Sequence, residues 1–446
     1  MTKLMTDELI EKTKHTVDKA KSLGAAEVIA TARVSRDRQI RFSNNQIDIS
    51  QNWFESSINL LLTVGKKVVT TQINQLDKVD SMVEKLVSIA KASKENPLWG
   101  GVAKGDFKYE VARTNEAIRK LDEPAKYVWK ALDAASSEGA KNIGGLLYIG
   151  DDDTFMISSE GPSGQDSGGY IEINVRAFSD DRSSGHGVEC TNNLADFHPE
   201  KAGKKAGRIA AQASKYPREE ISEGTYDIIF EPIFFGQMLW ALGSSASAFY
   251  AMAQLSPFVG KIDQKVASGI VTVHDYASSI SAAHRAFDEE GVPIKDTTII
   301  DHGVFKTFLH NTSTAKLFKT ETTANAGIIV PEPFAIQMDS GDYELEEMFS
   351  QVKNGLYLTN TWYTRFQNYM TGDFSTVPRD GAFVVKDGEI KGSTGNLRVS
   401  DNAIRLLQNV EALTRERHQV RWWDEIAEPV FSPYVLARNI KITKSK

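Results

Sequence analysis

This chain has almost no cysteine. Its single thiol, Cys190, cannot close an intramolecular disulfide and cannot build a Cys-rich zinc or iron–sulfur site. Histidine is sparse as well. None of the eight histidines is followed by glutamate, and no two stand three to five residues apart. A zinc-peptidase helix needs two histidines one turn apart, with a glutamate beside the first to handle the proton of the metal-bound water. That arrangement is missing, as is a phosphate-cradling Gly-x4-Gly-Lys-Ser/Thr loop. No apolar run approaches ~18 residues and the first residues hold no signal-type apolar stretch, so a cytoplasmic protein without a membrane segment is expected. Excess positive charge is also lacking. A net charge of −7 and a pI of about 5.7 argue against nucleic acid as a partner of the whole chain. Internal repeats, heptads and low-complexity tracts are absent.

What is present is an ordinary globular composition, 41% hydrophobic and 25% charged, on a chain too long for one core. Residues 6–23 have helical periodicity, with Thr6 placed as an N-cap and Gly24 as a stop. Residues 26–74 read as a meander of five strands, AEVIATARV, RQIRFSNN, IDISQNW, SSINLLLTV and KVVTTQIN, with turns at Asn44-Asn45 and Gly65-Lys66. A helix over 82–92 follows, then an irregular stretch over 94–125 and a helix over 124–138 opened by Pro124. Strands are expected at 143–149, 154–159 and 169–178. Residues 201–214 form a helix with a small-residue face, and its Lys201, Lys204, Lys205 and Arg208 read as a solvated side. Residues 216–220 look like a linker, dividing the chain into 1–217 and 222–446. Beyond it, residues 233–255 read as one helix, apolar around most of its circumference and therefore buried. The rest is mainly strand and turn, with short helices near 344–353 and 402–415 and a last strand YVLARNIKIT.

Few residues offer chemistry. His186 and Cys190 fall on one side of a strand with Val188, where packing is the default role. Asp151-Asp152-Asp153 and Asp288-Glu289-Glu290 are carboxylate clusters placed at turns, where they serve backbone geometry. Trp362, Tyr363, Arg365, Phe366 and Tyr369 form an aromatic group around one cation, suited to gripping a peptide within a cleft.

The hairpins are more telling. An Asp-Gly type turn between apolar strands occurs twice, at Asp301-His302-Gly303 and Lys386-Asp387-Gly388. Around the first lie RAFDEEGVP at 285–293, TIIDHGVFKTFL at 298–309 and TANAG at 323–327, the last closing a Thr/Asn-rich loop. Around the second lie TGDFS at 371–375, Gly381, KDGEI at 386–390 and GNL at 395–397. These stretches resemble the TldD/PmbA family, and the order of the remaining segments agrees over nearly the whole chain.

The resemblance implies an α+β fold: an N-terminal mixed α/β domain with an antiparallel meander, and a C-terminal β-rich, barrel-like domain with a buried helix. TldD-like members carry a His-Glu-x3-His zinc helix and a late cysteine. Here those helix positions fall at about Trp240, Ala241 and Ser245, and the cysteine position falls near Gln419, beside His418. None supplies a ligand, so the sequence resembles the PmbA/TldE side of the family. That implies no catalytic or metal-binding residue and no cofactor in this chain, with zinc expected in a TldD-like partner. It also implies an extended peptide as substrate, added as a further strand or held in a cleft. Trp240, Ser245, Trp362, Tyr363 and Arg365 are the candidate cleft-lining residues. A homodimer is open for the isolated chain. The rival readings are an independent hydrolase using His186, Cys190 or residues 288–290, and a homo-oligomeric peptide-binding regulator. The family's label as a modulator of DNA gyrase finds no support in so acidic a chain.

Overall fold

A computed structural model describes residues 5–110, 116–422 and 425–444. The irregular stretch expected over 94–125 lies partly outside them, at 111–115. The N-terminal part contains helices α1 (Asp7–Ser22), α2 (Val79–Ala92), α3 (Glu116–Arg119), α4 (Ala125–Ser137) and α5 (Pro199–Lys215). Its strands are β1 (Val28–Ser43), β2 (Gln46–Val64), β3 (Lys67–Ile73), β4 (Asn142–Ser158), β5 (Ser163–Asp180) and β6 (Ser183–Thr191). They form one antiparallel sheet in the order β3-β2-β1-β4-β5-β6.

The five strands expected over 26–74 are three long ones. No glycine or proline interrupts residues 34–38 or 53–56, so nothing stops the ladder there. The expected breaks at Asn44-Asn45 and Gly65-Lys66 are real turns, since both asparagines and Gly65 have positive φ. Likewise 143–149 and 154–159 fuse into β4, and Asp151-Asp152-Asp153 lies inside that strand rather than at a turn. Arg119 makes this tolerable: it reaches Asp151 and Asp153 at 2.8 Å on the helix-covered face, while Arg36 adds a contact to Asp151 at 3.3 Å.

Strand alternation gives this sheet two unlike faces. Ala30, Ala32 and Val34 of β1 pack beneath α1 and α2. Ile143, Leu147 and Ile149 of β4 and Ile171, Ile173 and Val175 of β5 pack beneath α4 and α5. The opposite face keeps the polar and aromatic residues. Small residues let α5 approach closely. A Cβ at Gly187 would fall 2.1 Å from the Ala202 carbonyl oxygen, and one at Gly185 2.1 Å from that of Ala206. Gly187→Ala is therefore expected to destabilise the fold by about 1–3 kcal/mol, the usual cost of overpacking, measured as a lower denaturation midpoint at unchanged slope. Lys205 departs from the solvated side expected for the α5 cations: it is mostly buried and pairs with Glu231.

The C-terminal part contains α6 (Pro232–Ser245), α7 (Ala248–Met252), α8 (Thr312–Phe318), α9 (Leu345–Ser350) and α10 (Ala403–Gln408). Its strands are β7 (Gly224–Phe230), β8 (Val273–Asp275), β9 (Thr297–Asp301), β10 (Val304–Phe305), β11 (Ile336–Met338) and β12 (Asn354–Asn368). The last five are β13 (Asp373–Lys386), β14 (Glu389–Ser393), β15 (Leu397–Asn402), β16 (Val410–Trp422) and β17 (Ile426–Lys444). Strands β17-β15-β13-β12-β7 close on themselves because β7 also pairs with β17. That ring is the barrel, and closure leaves those strands no free edge. Both expected hairpin turns are present, with positive φ at His302-Gly303 and at Asp387-Gly388.

The helix expected over 233–255 is broken after Ser245. At the joint, the Ser247 hydroxyl donates to the Pro331 carbonyl at 2.6 Å and accepts from the Phe249 N–H at 3.3 Å, starting α7. As expected, α6 is buried nearly all round. The Thr/Asn-rich loop contains an unforeseen helix, α8, opened by a capping box between Asn311 and Thr314. The helix expected over 402–415 stops at Gln408, where β16 takes over. Among the described residues no helix is long and apolar enough to cross a membrane.

Candidate peptide-binding cleft

The uncovered face of the N-terminal sheet is the floor of a cleft roofed by the C-terminal part. On β5 the alternation puts Asp166, Tyr170, Glu172, Asn174, Arg176 and Phe178 on this face, opposite the buried isoleucines. Partners in register on β1 and β4, among them Arg33, Asp152 and Tyr148, continue the same surface. Gly150 leaves room for the Tyr170 ring, which a Cβ there would meet at 2.4 Å. Three cavities follow one another along the floor. A polar one of about 370 Å³ and an aromatic-walled one of about 590 Å³ share Tyr170 and Arg421. A third, of about 690 Å³, shares Arg176 and Phe178 with the second.

Arg421 of β16 crosses the floor. Its guanidinium lies 4.0 Å over the Tyr170 ring, and Nε stands 3.4 Å from Glu172. Burial raises the Glu172 carboxyl above its ordinary range and Arg421 opposes the shift. Trp362 of β12 and Trp422 of β16 form the far wall, their rings 5.9 Å apart. The middle cavity carries an unusual debt: among the described residues the Trp362 and Trp422 indole N–H groups and the Asn174 amide N–H are buried with no hydrogen-bond partner, and the Glu172 Oε2 has only its 3.4 Å contact with Arg421. Buried polar atoms are nearly always paired, so a row of orphans along a cavity is a place for ordered water or a hydrogen-bonding ligand.

The cleft wall is pinned by charge. Asp380 of β13 accepts from Arg176 at 2.6 Å, from Ser184 at 2.7 Å and from Asn360 at 3.1 Å. Burial opposes its ionisation, but Arg176 foremost offsets this and holds the carboxyl below its usual value. Asn360 also contacts His186 at 3.1 Å. Burial lowers the His186 pKa to about 4, so the ring is neutral near pH 7.

The sequence-proposed residues fare unequally. Trp362 lines the middle cavity. Trp240 packs at the edge of the barrel core, and buried Ser245 returns its hydroxyl to the Ala241 carbonyl at 2.9 Å. Arg365 donates to the neighbouring Thr364 carbonyl and Tyr363 is 50% exposed. The cation beside the aromatic group is not Arg365: Arg379 lies 4.9 Å and Arg176 5.3 Å over the Trp362 ring. Strand direction is the reason, since bulges in β12 rotate successive side chains away from one another. His186 and Cys190 stand four residues apart on β6, roughly 13 Å along a strand. Burial raises the Cys190 thiol well above its ordinary pKa, and the sulfur faces the Gln419 carbonyl. A nucleophilic pair is not assembled. Arg421, Tyr170, Glu172, Asn174 and Trp422 were missed, because an alternating polar strand face reads as solvent-facing.

The zinc-helix positions Trp240, Ala241 and Ser245 sit on buried α6 with no ligand among them. Gln419, at the late-cysteine position, is a brace: it accepts from the Ala282 N–H at 2.7 Å and donates to the Cys190 carbonyl at 3.2 Å. Among the described residues no three His, Cys, Asp or Glu side chains converge as a metal site. The residues at these positions do not fit a catalytic zinc.

The acidic turn at 288–290 closes one end of the cleft. Asp288 accepts from the N–H groups of Glu290, Val292 and Ala326 at 2.9–3.0 Å, as its turn position implied. Burial raises both Asp288 and Glu290, and the Asp288 charge raises Glu290 further. Hydrogen bonds favour the charged form of both, Asp288 through three N–H groups and Glu290 through Thr312, whose N–H lies at 3.2 Å, and Ala103, so it is burial with the Asp288 charge that sets Glu290 the higher of the two. A carboxyl whose folded pKa exceeds its unfolded value stabilises the fold below the unfolded pKa and loses that contribution as pH rises through the folded one. Glu290→Gln is therefore expected to be more stable than wild type at pH 8, with the advantage vanishing toward pH 5. Thermal melts across that range check it.

A family model described as the PmbA/TldA metallopeptidase C-terminal domain matches residues 223–444. A metalloprotease of Methanothermobacter thermautotrophicus is 27% identical over 223 residues, 48% of this chain and 46% of the relative. A metalloprotease TldD homolog of Buchnera aphidicola subsp. Schizaphis graminum is 24% identical over 215 residues, 46% of this chain and 44% of its own. The matched stretch spans about half the length of these curated relatives. The structure of TldE from Thermococcus kodakarensis covers 97% of this chain and 100% of its own, with a TM-score of 0.85 at 19% identity. A candidate modulator of a DNA gyrase from Thermotoga maritima covers 98% and 100%, with a TM-score of 0.84 at 21% identity. At those identities the likeness is one of fold.

Proposed function

Because this chain belongs to the TldD/PmbA family, we propose that it is a TldE-like, non-catalytic subunit of a cytoplasmic TldD-type zinc metallopeptidase complex. It holds extended, unfolded or modified peptide in its cleft and leaves hydrolysis to the zinc of its partner. The observation that carries this reading is the row of buried donors on Trp362, Trp422 and Asn174, unpaired among the described residues, beside the Glu172 carboxylate. A peptide backbone offers carbonyls and N–H groups in alternation, which is the complement such a row requires. The aromatic rings grip side chains without regard to their sequence. The residues at the zinc-helix positions support a role for this chain in binding, not bond cleavage.

Affinity purification from native lysate, with metal analysis of each recovered chain, tests the assembly. A zinc-bearing TldD-like chain is expected with this one, and this chain itself is expected to hold zinc well below one per molecule. Recovery of this chain only with copies of itself would favour the homo-oligomeric alternative.

A further inference from the structure

The third cavity opens at the end of the trough where β5 turns into β6, against residues 393–396. Four guanidiniums line it: Arg176 is paired with Asp380, whereas Arg182, Arg218 and Arg379 have no carboxylate partner among the described residues, Arg379 lying over the Trp362 and Tyr363 rings. Three carboxylates also line it, those of Asp180, Asp181 and Asp380, and the first and last are engaged. Asp380 is held by Arg176, Ser184 and Asn360. Asp180 accepts from Ser214 at 2.7 Å and from the Arg182 N–H at 2.8 Å, and Asp181 is exposed. The Thr394 hydroxyl lines the same cavity, in a residue 9% exposed, with no hydrogen-bond partner among the described residues. Gly395 lets the Arg218 fork lie across the backbone, since a Cβ there would stand 2.6 Å from Arg218 Nη2. Unpaired planar forks around a buried hydroxyl donor suit a carboxylate, which accepts bidentate bonds from arginine.

We infer that this cavity is a carboxylate subsite that receives the free C-terminus of a peptide lying in the trough. The inference rests on the peptide-holding role proposed above. It adds polarity to that role: the chain runs across Trp362 with its C-terminal end toward Arg218 and its N-terminal end toward Arg421. A peptide with a free terminus therefore binds in one direction only.

The test uses the full-length chain and one unstructured fluorescent peptide prepared as the free acid and as the C-terminal amide, read by anisotropy at low salt. The acid is expected to bind at least about tenfold more tightly than the amide. Arg218→Gln, at an exposed position whose loss does not threaten folding, removes that difference by weakening the acid alone. Gly395→Ala, which displaces the Arg218 fork, does the same. Equal binding of acid and amide by wild type, or equal weakening of both by Arg218→Gln, overturns the carboxylate subsite and leaves the peptide-holding role standing. An amide carrying an internal aspartate that regains full affinity overturns the terminus assignment. Binding of neither peptide overturns the subsite and the peptide-holding role together.

Discussion

Lys205→Met is expected to lower unfolding free energy by about 3–5 kcal/mol, the cost of leaving one charge of a buried pair without its partner. Lys205 projects from α5, in the helix layer of the N-terminal sheet, and meets Glu231 at the start of α6 in the barrel. The Glu231 side chain is fully buried and Lys205 nearly so. Burial raises Glu231 and Lys205 pulls it back toward ionisation, while the Lys205 ammonium is held charged by the same contact against its own desolvation. With the lysine gone, no other cation among the described residues is in ion-pair contact with Glu231, Arg208 acting only at longer range, and the carboxyl must take a proton or admit water. A loss of this size is a large part of the ~5–15 kcal/mol that holds an ordinary domain. The double variant Lys205→Met/Glu231→Gln removes both charges and is expected to recover most of the loss, because the desolvation cost disappears with the attraction. Denaturant titration of the three proteins supplies the cycle. Equal destabilisation by the single and double variants would show that the pair packs α5 against the barrel and contributes nothing through its charges.

Trp362→Ala is expected to weaken peptide binding by about 30-fold, near 2 kcal/mol, the loss found when a central aromatic anchor is truncated. Its ring sits under Arg176 and Arg379 and beside Trp422, and its indole N–H has no partner among the described residues. Trp362→Phe keeps a ring and deletes the donor, so an intermediate loss is expected. Tyr363→Ala is the control. That side chain is half exposed and lines none of the three cavities, so a change below about threefold is expected. Similar losses at Trp362 and Tyr363 would move the binding surface outside the cleft.

Much of the fold was legible because local signals agreed with tertiary ones. The Asp-Gly type hairpins, the Thr6 cap and the all-apolar α6 each follow from a few neighbouring residues. The failures share a cause: tertiary partners that local sequence does not show. Asp151 and Asp153 look like turn residues until Arg119 arrives from α3. Lys205 looks solvated until Glu231 meets it. Residues 233–255 look like one helix, but Ser247 is captured by Pro331, 84 positions later. The cleft was least legible of all. Trp362 was singled out with neighbours that point elsewhere, and its true companions come from β5, β6, β13 and β16. Only the register of the two sheets brings them together.

The most direct test of the proposed subunit role is hydrolysis of an unstructured peptide by this chain alone, by a TldD-like chain alone, and by the two mixed. No cleavage by the single chain is expected, and the mixture should exceed the partner alone. Robust hydrolysis by the purified single chain would contradict the non-catalytic role and require a reactive site that neither α6 nor β6 supplies.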